Sequence, residues 1–236
     1  MKVTILGTRG EIPESAPYHS KHTGILVDDE LLLDLGEKSF LQYNPRWILL
    51  THFHPDHAYF MYRGKEEIPK TTATIFAPEV PPHLKKVVTL LDKKKKLGPY
   101  TIQPIPTHHG KYVQSQAYLI KRGKHSFLFT SDLVWIDKKY HPLIRGVDLV
   151  ITEASFIRKG GMVQKDPKSG RLFGHNGVPN LLSLLKQFSD QFVFIHFGSW
   201  FYENIKEGRK TLIKLGKEED VHVTVGYEGL TINLVN

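Results

Sequence analysis

Short apolar runs separated by turn-forming residues recur along most of the chain, a pattern typical of proteins rich in β-strands. Many of these runs contain valine, isoleucine or phenylalanine, which favour strands. They predict strands at Val3–Leu6, Ile25–Val27, Leu31–Asp34, Trp47–Thr51, Thr74–Ala77, Thr101–Ile105, Ala117–Ile120, Phe127–Thr130, Val147–Thr152, Phe192–His196, Val221–Val225 and Leu230–Val235.

Helical spacing of apolar residues is less common. We predict helices at Pro55–Tyr62, Val80–Leu91, Val178–Phe188 and Asn204–Leu215. The polar, glycine-rich segment Arg158–Arg171 is predicted to be a loop, and a loop of this length is more typical of an active-site lid than of filler. Strands outnumber helices, and no repeat or linker interrupts the pattern. The chain is therefore predicted to form one mixed α/β domain of the α+β type, spanning residues 1–236.

Composition narrows the class of protein. The chain has 236 residues, of which 40% are hydrophobic, enough for a substantial core. It has no cysteine, so disulfides and thiolate metal ligands are excluded. We find neither an export signal nor an apolar run long enough to span a membrane. These features predict a cytoplasmic protein without a membrane partner, and they leave a homodimer open.

The formal net charge of +8 favours an anionic small molecule or a nucleic acid as substrate. A surface made soluble by lysine is the alternative. The densest basic run is Lys93–Lys96, with Lys85 and Lys86 before it. It is either a solvated helix end or a patch that binds phosphates, and the lack of interleaved aromatic residues favours the solvated end.

Six consecutive residues beginning at His52 read H-F-H-P-D-H and follow a predicted strand directly. In extended backbone His52 and His54 point to the same side, whereas Asp56 and His57 follow a proline at which the chain can turn. The four side chains thus form two pairs, each able to face its own metal ion. Imidazole and carboxylate at this density favour Zn²⁺, with Mn²⁺ and Fe²⁺ as less selective alternatives.

Further ligand-type residues follow the ends of later strands. His108 and His109 are adjacent after one strand, Asp132 follows another, and His196 ends a third. Because loops at strand ends commonly converge on a functional site, these residues are candidates to complete a two-metal site.

The motifs resemble those of the metallo-β-lactamase superfamily over nearly the whole chain. Gly7–Gly10, Asp34–Gly36, the H-x-H-x-D-H run, a later histidine, Asp132 and His196 occur in the order of that family. The resemblance implies a four-layer αββα sandwich with the site along one edge of its two sheets. It also implies a hydrolase that uses two divalent metal ions.

The same resemblance assigns the ligands to two groups that share a bridging carboxylate. They are His52, His54 and His109 for the first metal, Asp56, His57 and His196 for the second, and Asp132 for the bridge. His109 is preferred because related hydrolases read P-x-x-H-[GS], which matches residues 106–110, and His108 is the alternative. Asp56 is additionally expected to orient the nucleophile.

Within the superfamily the chain resembles the phosphodiesterases, including ribonuclease Z and the cyclic-phosphate phosphodiesterase of phosphonate breakdown. Glu153–Phe156 is similar to the H-E-A-T-F segment of ribonuclease Z, although Thr152 replaces its histidine. The turn Gly174–Asn176 resembles one whose histidine is a general acid, which implies that role for His175. A structural contact at the following helix is the alternative. The short spacing between His109 and Asp132 leaves no room for a tRNA-gripping arm.

These features together predict a dinuclear metal-dependent phosphodiesterase acting on a nucleotide, a cyclic phosphate or a nucleic acid. One alternative is an ester, thioester or lactone hydrolase on the same metals. The other is a non-catalytic member of the fold that binds nucleic acid or a partner. The complete set of ligands argues against a non-catalytic role.

Overall fold

The computed structural model describes residues 1–62, 64 and 67–235. Within these residues two large sheets and one hairpin are formed by the following strands: β1 (Lys2–Gly7), β2 (Gly24–Val27), β3 (Leu31–Leu33), β4 (Trp47–Leu49), β5 (Thr74–Ala77), β6 (Val88–Leu90), β7 (Lys95–Leu97), β8 (Tyr100–His108), β9 (Gln116–Arg122), β10 (His125–Ser131), β11 (Trp135–Ile136), β12 (Leu149–Ala154), β13 (Met162–Lys165), β14 (Leu172–His175), β15 (Gln191–Phe197), β16 (His222–Val225) and β17 (Thr231–Asn233).

Helices in the described residues are short except near the C-terminus. The α-helices are α1 (His141–Ile144), α2 (Val178–Leu185), α3 (Ser199–Glu203) and α4 (Ile205–Glu218). Short 3₁₀-helices occur at Lys38–Tyr43, Tyr59–Met61, Pro82–Leu84 and Lys138–Tyr140. None of the helices in the described ranges is both long and apolar enough to span a bilayer.

The first sheet has the strand order β17-β1-β2-β3-β4-β5-β6, and its strands β3 to β6 are parallel. The second sheet has the order β11-β8-β9-β10-β12-β15-β16, with β7 also paired to β8. Its strands β10, β12, β15 and β16 are parallel. The strands β13 and β14 form a separate antiparallel hairpin.

Alternation along the strands divides the core into three layers. Leu31 and Leu33 of β3 pack between the two sheets, whereas Leu32 packs on the outer face of the first sheet. Phe127 likewise lies between the sheets, and Leu128 faces the outer helices α2 and α4. Both faces of these strands are buried, which explains why they read as unbroken apolar runs. This layered arrangement confirms the predicted α+β sandwich.

Two local predictions were wrong, and a third missed one strand. Val80–Leu91 is a 3₁₀ turn followed by β6, because two prolines begin the segment and Val88–Leu90 pairs with the edge of β5. Pro55–Tyr62 forms turns instead of an α-helix. The amide of Leu35 donates to the His57 carbonyl, and the Tyr59 amide donates to the Leu35 carbonyl, so the segment is bonded to a distant strand end.

The third correction concerns Arg158–Arg171, which was predicted to be a loop. Residues 158–161 and 166–171 are loop and turn as predicted, but Met162–Lys165 is β13, which pairs with β14 directly after the segment, Met162 with His175 and Lys165 with Leu172. The polar, glycine-rich composition hid the strands, because neither β13 nor β14 packs a face into the main core.

Candidate metal centre

The candidate site lies where strand ends from both sheets meet. The residues from His52 to His57 follow β4 of the first sheet, His109 follows β8, and Asp132 follows β10 of the second. His196 lies one residue before the end of β15. The strands β8, β10 and β15 point the same way, because β8 and β10 are both antiparallel to β9, and β15 is parallel to β12 beside β10. Residues distant in sequence therefore converge on one edge of the sandwich.

The backbone is left-handed at the ends of three strands, β3, β10 and β15. Asp34, Ser131 and His196 have φ angles of 57°, 53° and 52°. For residues with a Cβ this conformation costs about 1–3 kcal/mol and persists only where surrounding contacts hold it. It occurs here at the residues whose side chains enter or support the cluster.

The first ligand group consists of His52, His54 and His109. Nδ1 of His54 lies 3.0 Å from Nε2 of His52 and 3.2 Å from Nε2 of His109. His52 and His109 are buried, and His54 is half-buried at the floor of a cleft. Three imidazole nitrogens therefore face one point.

The second ligand group consists of Asp56, His57 and His196, all buried. Oδ2 of Asp56 lies 2.9 Å from Nε2 of His196 and 3.5 Å from Nε2 of His57. The two imidazole rings stack with centroids 5.0 Å apart. Gly10 permits this packing, since a Cβ there would lie only 3.0 Å from Cε1 of His196.

Asp132 lies between the two groups and presents one oxygen to each. Oδ2 is 3.7 Å from Nε2 of His52 and 3.4 Å from Nε2 of His109. Oδ1 is 3.4 Å from Nε2 of His57 and 3.3 Å from Nε2 of His196. This is the position in which one carboxylate can contact two cations.

Hydrogen bonds behind the cluster hold the imidazole rings. In the first group, Nδ1 of His109 donates to the carbonyl of Gly174 at 2.9 Å, and Nδ1 of His52 shares a hydrogen bond with the Thr51 hydroxyl at 3.0 Å. Engaging Nδ1 in this way fixes the tautomer that points Nε2 toward a metal.

The second group is anchored differently. Nδ1 of His57 donates to the Asp34 carboxylate at 2.8 Å, and Nδ1 of His196 shares a 2.9 Å hydrogen bond with the Ser155 hydroxyl. Asp34 is fully buried and also accepts from the backbone and hydroxyl of Thr51. A carboxylate behind a ligating imidazole raises its basicity.

The two ligand groups differ in the pKa values of their histidines. Burial lowers the pKa of His52 well below its usual range and that of His109 to about 3. Burial acts the same way on His57, but the carboxylates of Asp132, Asp56 and Asp34 outweigh it and raise the pKa of His57 well above its usual range. Against the effect of burial, the neighbouring imidazoles hold the pKa of Asp132 well below its usual range. The imidazoles of His57 and His196 likewise hold the pKa of Asp56 well below its usual range against burial, so Asp132 and Asp56 are ionised at neutral pH, as metal ligands must be.

The residues fit a pair of divalent cations. Nε2 of His57 and Oδ1 of Asp132 are buried without a hydrogen-bond partner among the described residues. Buried polar atoms are rarely left unpaired, so two such atoms facing each other point to an ion that they bind. The set contains only nitrogen and carboxylate oxygen donors, which suits Zn²⁺ and, less selectively, Mn²⁺ or Fe²⁺.

The structure separates the two adjacent histidines. His109 lies in the first ligand group, whereas Nε2 of His108 lies 3.1 Å from Oδ1 of Asp137, on the other side of β8. Adjacent strand residues point to opposite faces, so only one of the two side chains can reach the cluster.

His175, the predicted general acid, reaches the site from the end of β14. Its Nδ1 donates to Oε2 of Glu153 at 2.8 Å and lies 3.9 Å from Oδ2 of Asp132. Burial opposes protonation of His175, but the carboxylates of Glu153 and Asp132 raise its pKa to about 9. Glu153 is fully buried, and its other oxygen accepts from the Leu133 amide at 2.6 Å. Glu153 therefore sets the orientation of the His175 ring.

A cleft of about 370 Å³ opens onto the cluster. His54, Asp56, Asp132, His175 and His196 line its floor. Its walls are largely apolar and include Ile12, Phe156, Met162 and Trp200. Such a cleft can hold an organic group beside a charged reacting centre.

Sequence reasoning missed the supporting side chains Asp34, Thr51, Ser155 and Glu153. Asp34 and Glu153 belong to motifs that carried the family resemblance, and each ends or follows an apolar run. A carboxylate placed directly at the end of a buried strand was the signal that could have identified them. Thr51 and Ser155 carry no comparable signal.

The fold and the candidate ligand groups are those of a superfamily of metal-dependent hydrolases. A family profile described as the beta-lactamase superfamily domain matches residues 42–197, about two thirds of the chain. The chain therefore belongs to the β-lactamase superfamily, and the predicted resemblance to its metallo-β-lactamase members is confirmed. A search among curated proteins found no significant match.

Solved structures share the fold over nearly the entire chain. The metallo-β-lactamase fold protein YhfI from Bacillus subtilis is 20% identical, with a TM-score of 0.69 and coverage of 98% of this chain and 99% of that chain. A diphosphatase of the PhnP family is 16% identical, with a TM-score of 0.68 and coverage of 99% and 98%. The short form of human tRNase Z is 17% identical, with a TM-score of 0.65 and coverage of 100% of both chains.

Proposed function

We propose that the protein is a dinuclear metal-dependent phosphodiesterase. The observation that carries this proposal is the placement of His175. Its Nδ1 is bonded to the buried Glu153, and the ring lines the cleft beside Asp132. Its Nε2 makes no hydrogen bond to a described residue and is available to a substrate. A positioned proton donor is needed when the leaving group is a poor one such as a sugar hydroxyl.

Two features favour a phosphate ester as the substrate. The basic net charge of +8 attracts an anionic substrate, and the apolar cleft walls suit a nucleoside or another organic group. Structures of similar fold include a PhnP-family diphosphatase and a tRNase Z, whose names point to phosphorus–oxygen bonds.

Each ligand group would hold one ion, with Asp132 between them. Two divalent ions at such a site polarise the phosphoryl oxygens and lower the pKa of bound water toward 7. Asp56 would contribute Oδ2 to the second ion beside Nε2 of His196, which leaves Oδ1 available to orient the attacking water. His175 holds a proton at its ring and donates it to the departing oxygen, and the Glu153 carboxylate keeps that ring in place.

The leading test is a hydrolysis screen with metal-loaded protein. The screen contains bis-p-nitrophenyl phosphate, 2′,3′-cyclic nucleotides, short RNAs, lactones and thioesters. We expect turnover of phosphodiesters. Rapid cleavage of lactones or thioesters with no phosphodiester cleaved would replace the proposal with the ester-hydrolase alternative. Binding of nucleic acid with no turnover of any substrate would support the non-catalytic alternative.

The role of His175 is tested by the leaving group. The substitution His175→Ala is expected to slow cleavage of a substrate with an alcohol leaving group by roughly 10²–10⁴-fold. It should slow cleavage of a p-nitrophenyl ester far less, because p-nitrophenolate leaves without a proton. The variant should retain its metal ions. Equal losses on both substrates would contradict the general-acid role.

A further inference from the structure

The β13–β14 hairpin extends outward from the metal centre. Its inner end is fixed there, since the Gly174 amide donates to the His109 carbonyl at 2.8 Å and His175 lies in the cleft. Four paired residues in each strand give it a length of about 13 Å. Met162 and His175 of the hairpin therefore border the cleft on this side.

The outer end of the hairpin has a defined turn. Oδ1 of Asp166 accepts from the amides of Lys168 and Ser169 at 2.8 and 2.9 Å, and the Asp166 amide donates to the Arg171 carbonyl at 2.8 Å. These bonds lower the pKa of the Asp166 carboxyl. The single acidic residue between 158 and 175 is thus engaged with the turn backbone.

Positive charge dominates the rest of the segment. Residues 158–175 contain Arg158, Lys159, Lys165, Lys168 and Arg171. No ion pair within 4.0 Å joins any of these five to a carboxylate of the described residues. Seven other lysines and arginines of the described residues do pair, for example Lys186 with Glu219, whereas others, including Lys93–Lys96, are also unpaired. Cations left without acidic partners are available to bind phosphates.

Aromatic rings with exposed surface lie beside these charges, whereas at Lys93–Lys96 the ring under Lys95 is that of Phe76, which is buried. Phe173 lies on the same face of the hairpin as His175, because the two are separated by one residue in β14. Nζ of Lys111 lies 5.4 Å from the Phe173 ring and 5.2 Å from the Tyr112 ring. Tyr112 is 88% exposed, so its ring face is open to a ligand.

We propose that the hairpin and the Lys111–Tyr112 loop bind a single-stranded nucleic acid and lead it into the metal cleft. The cations contact the backbone phosphates, and Phe173 and Tyr112 stack on bases. Interleaved cations and aromatic rings are the arrangement that single strands require, whereas a duplex hides its base faces. This inference rests on the proposed phosphodiesterase function and specifies its substrate as a strand of several nucleotides.

The test measures binding of fluorescein-labelled single strands of about twelve nucleotides to the metal-loaded protein by anisotropy. Phosphorothioate linkages prevent cleavage, and RNA and DNA strands are compared. The hairpin variant carries Lys165→Ser, Lys168→Ser and Arg171→Ser. The matched control carries Lys93→Ser, Lys94→Ser and Lys96→Ser, which removes the same charge from an exposed segment outside the hairpin.

We expect the hairpin variant to bind single strands at least about tenfold more weakly. The slope of log affinity against log salt should fall by about 2, since three phosphate contacts are lost at roughly 0.7 each. The control should bind like the unmodified protein. Equal weakening in both variants, weakening in the control alone, or tighter binding of duplex than of single strands would overturn the proposal.

Stacking is tested separately with Tyr112→Ala, for which Tyr43→Ala on another exposed tyrosine is the control. We expect about a tenfold loss of affinity for Tyr112→Ala alone. Bis-p-nitrophenyl phosphate is too small to reach the hairpin turn, so all these variants should hydrolyse it equally. Failure of the unmodified protein to hydrolyse that ester or any other phosphodiester would contradict the proposed function, whereas the strand-binding comparison tests the hairpin alone.

Discussion

The two ligand groups contain similar donors but have opposite surroundings. The first group consists of three histidines whose anchors are the neutral Thr51 hydroxyl and the Gly174 carbonyl. The second group contains Asp56, and its His57 is held by a second buried carboxylate, Asp34. The second group therefore concentrates negative charge, and the first group does not.

This difference in charge changes how readily the histidines of each group are protonated. Burial, together with the neighbouring imidazoles of His175 and His54, lowers the pKa of His109 to about 3. Carboxylates overcome burial and raise the pKa of His57 and His196. A cation at the second group must displace protons but gains more negative charge. A cation at the first group meets imidazoles that are already neutral. The two sites are thus expected to differ in affinity and in pH dependence.

The largest expected effect comes from Asp132, the residue that both groups share. Asp132→Ala should remove both metals and reduce hydrolysis by about 10³-fold or more, because the carboxylate offsets repulsion between two dications. Metal content and turnover are measured together. Asp137→Ala, which removes the partner of His108 outside the cluster, is the control and should retain both metals. Two tightly held ions in Asp132→Ala would refute the bridging role.

His109→Ala should weaken the first metal alone and lower the stoichiometry from two ions toward one per chain. The second group keeps its own three ligands, so its metal should remain. His108→Ala is the neighbouring control and should bind metal normally. The opposite result for the two variants would show that the ligand is His108.

Asp34→Asn tests the charged anchor of the second group. We expect metal affinity there to fall roughly 10–100-fold, since the orientation and basicity of His57 both depend on the carboxylate. Ser155→Ala removes the neutral anchor of His196 and should cost less. Metal titration of both variants measures the contrast, and equal losses would show that the charge of Asp34 is unimportant.

The smallest expected effect is on the pH dependence of folding stability, measured on metal-free protein in the presence of a chelator. The lowered pKa of His109 favours the folded state above about pH 6.5, its unfolded value, and this contribution is lost as the pH falls toward 3. The raised pKa of His57 has the opposite sign, because its contribution is present below about pH 6.5 and is lost as the pH rises. Urea unfolding across pH should therefore show a smaller acid loss in His109→Gln and a smaller alkaline loss in His57→Gln. The same pH profile in both variants would break the comparison.

Much of the fold was predictable because buried strands leave continuous apolar runs. The long strands and the helices α2 and α4 were identified in this way. The short edge strands β6, β7 and β11 and the hairpin β13–β14 were missed. Their pairing depends on a neighbouring strand more than on their own apolar pattern, so local sequence carries little signal for them.

The sequence by itself determined the family, the donor types and the H-x-H-x-D-H run, because these depend on residue identity and close spacing. The choice of His109 was also made from sequence, by a motif match. Only the tertiary structure decided which side chains face each other across 140 residues, as Asp56 and His196 do. It also decided that Asp34 and Glu153 stand behind the reacting groups and that the glycine-rich segment is a basic hairpin. Such relations depend on where strands of two sheets end in space, which is set by packing of the whole core.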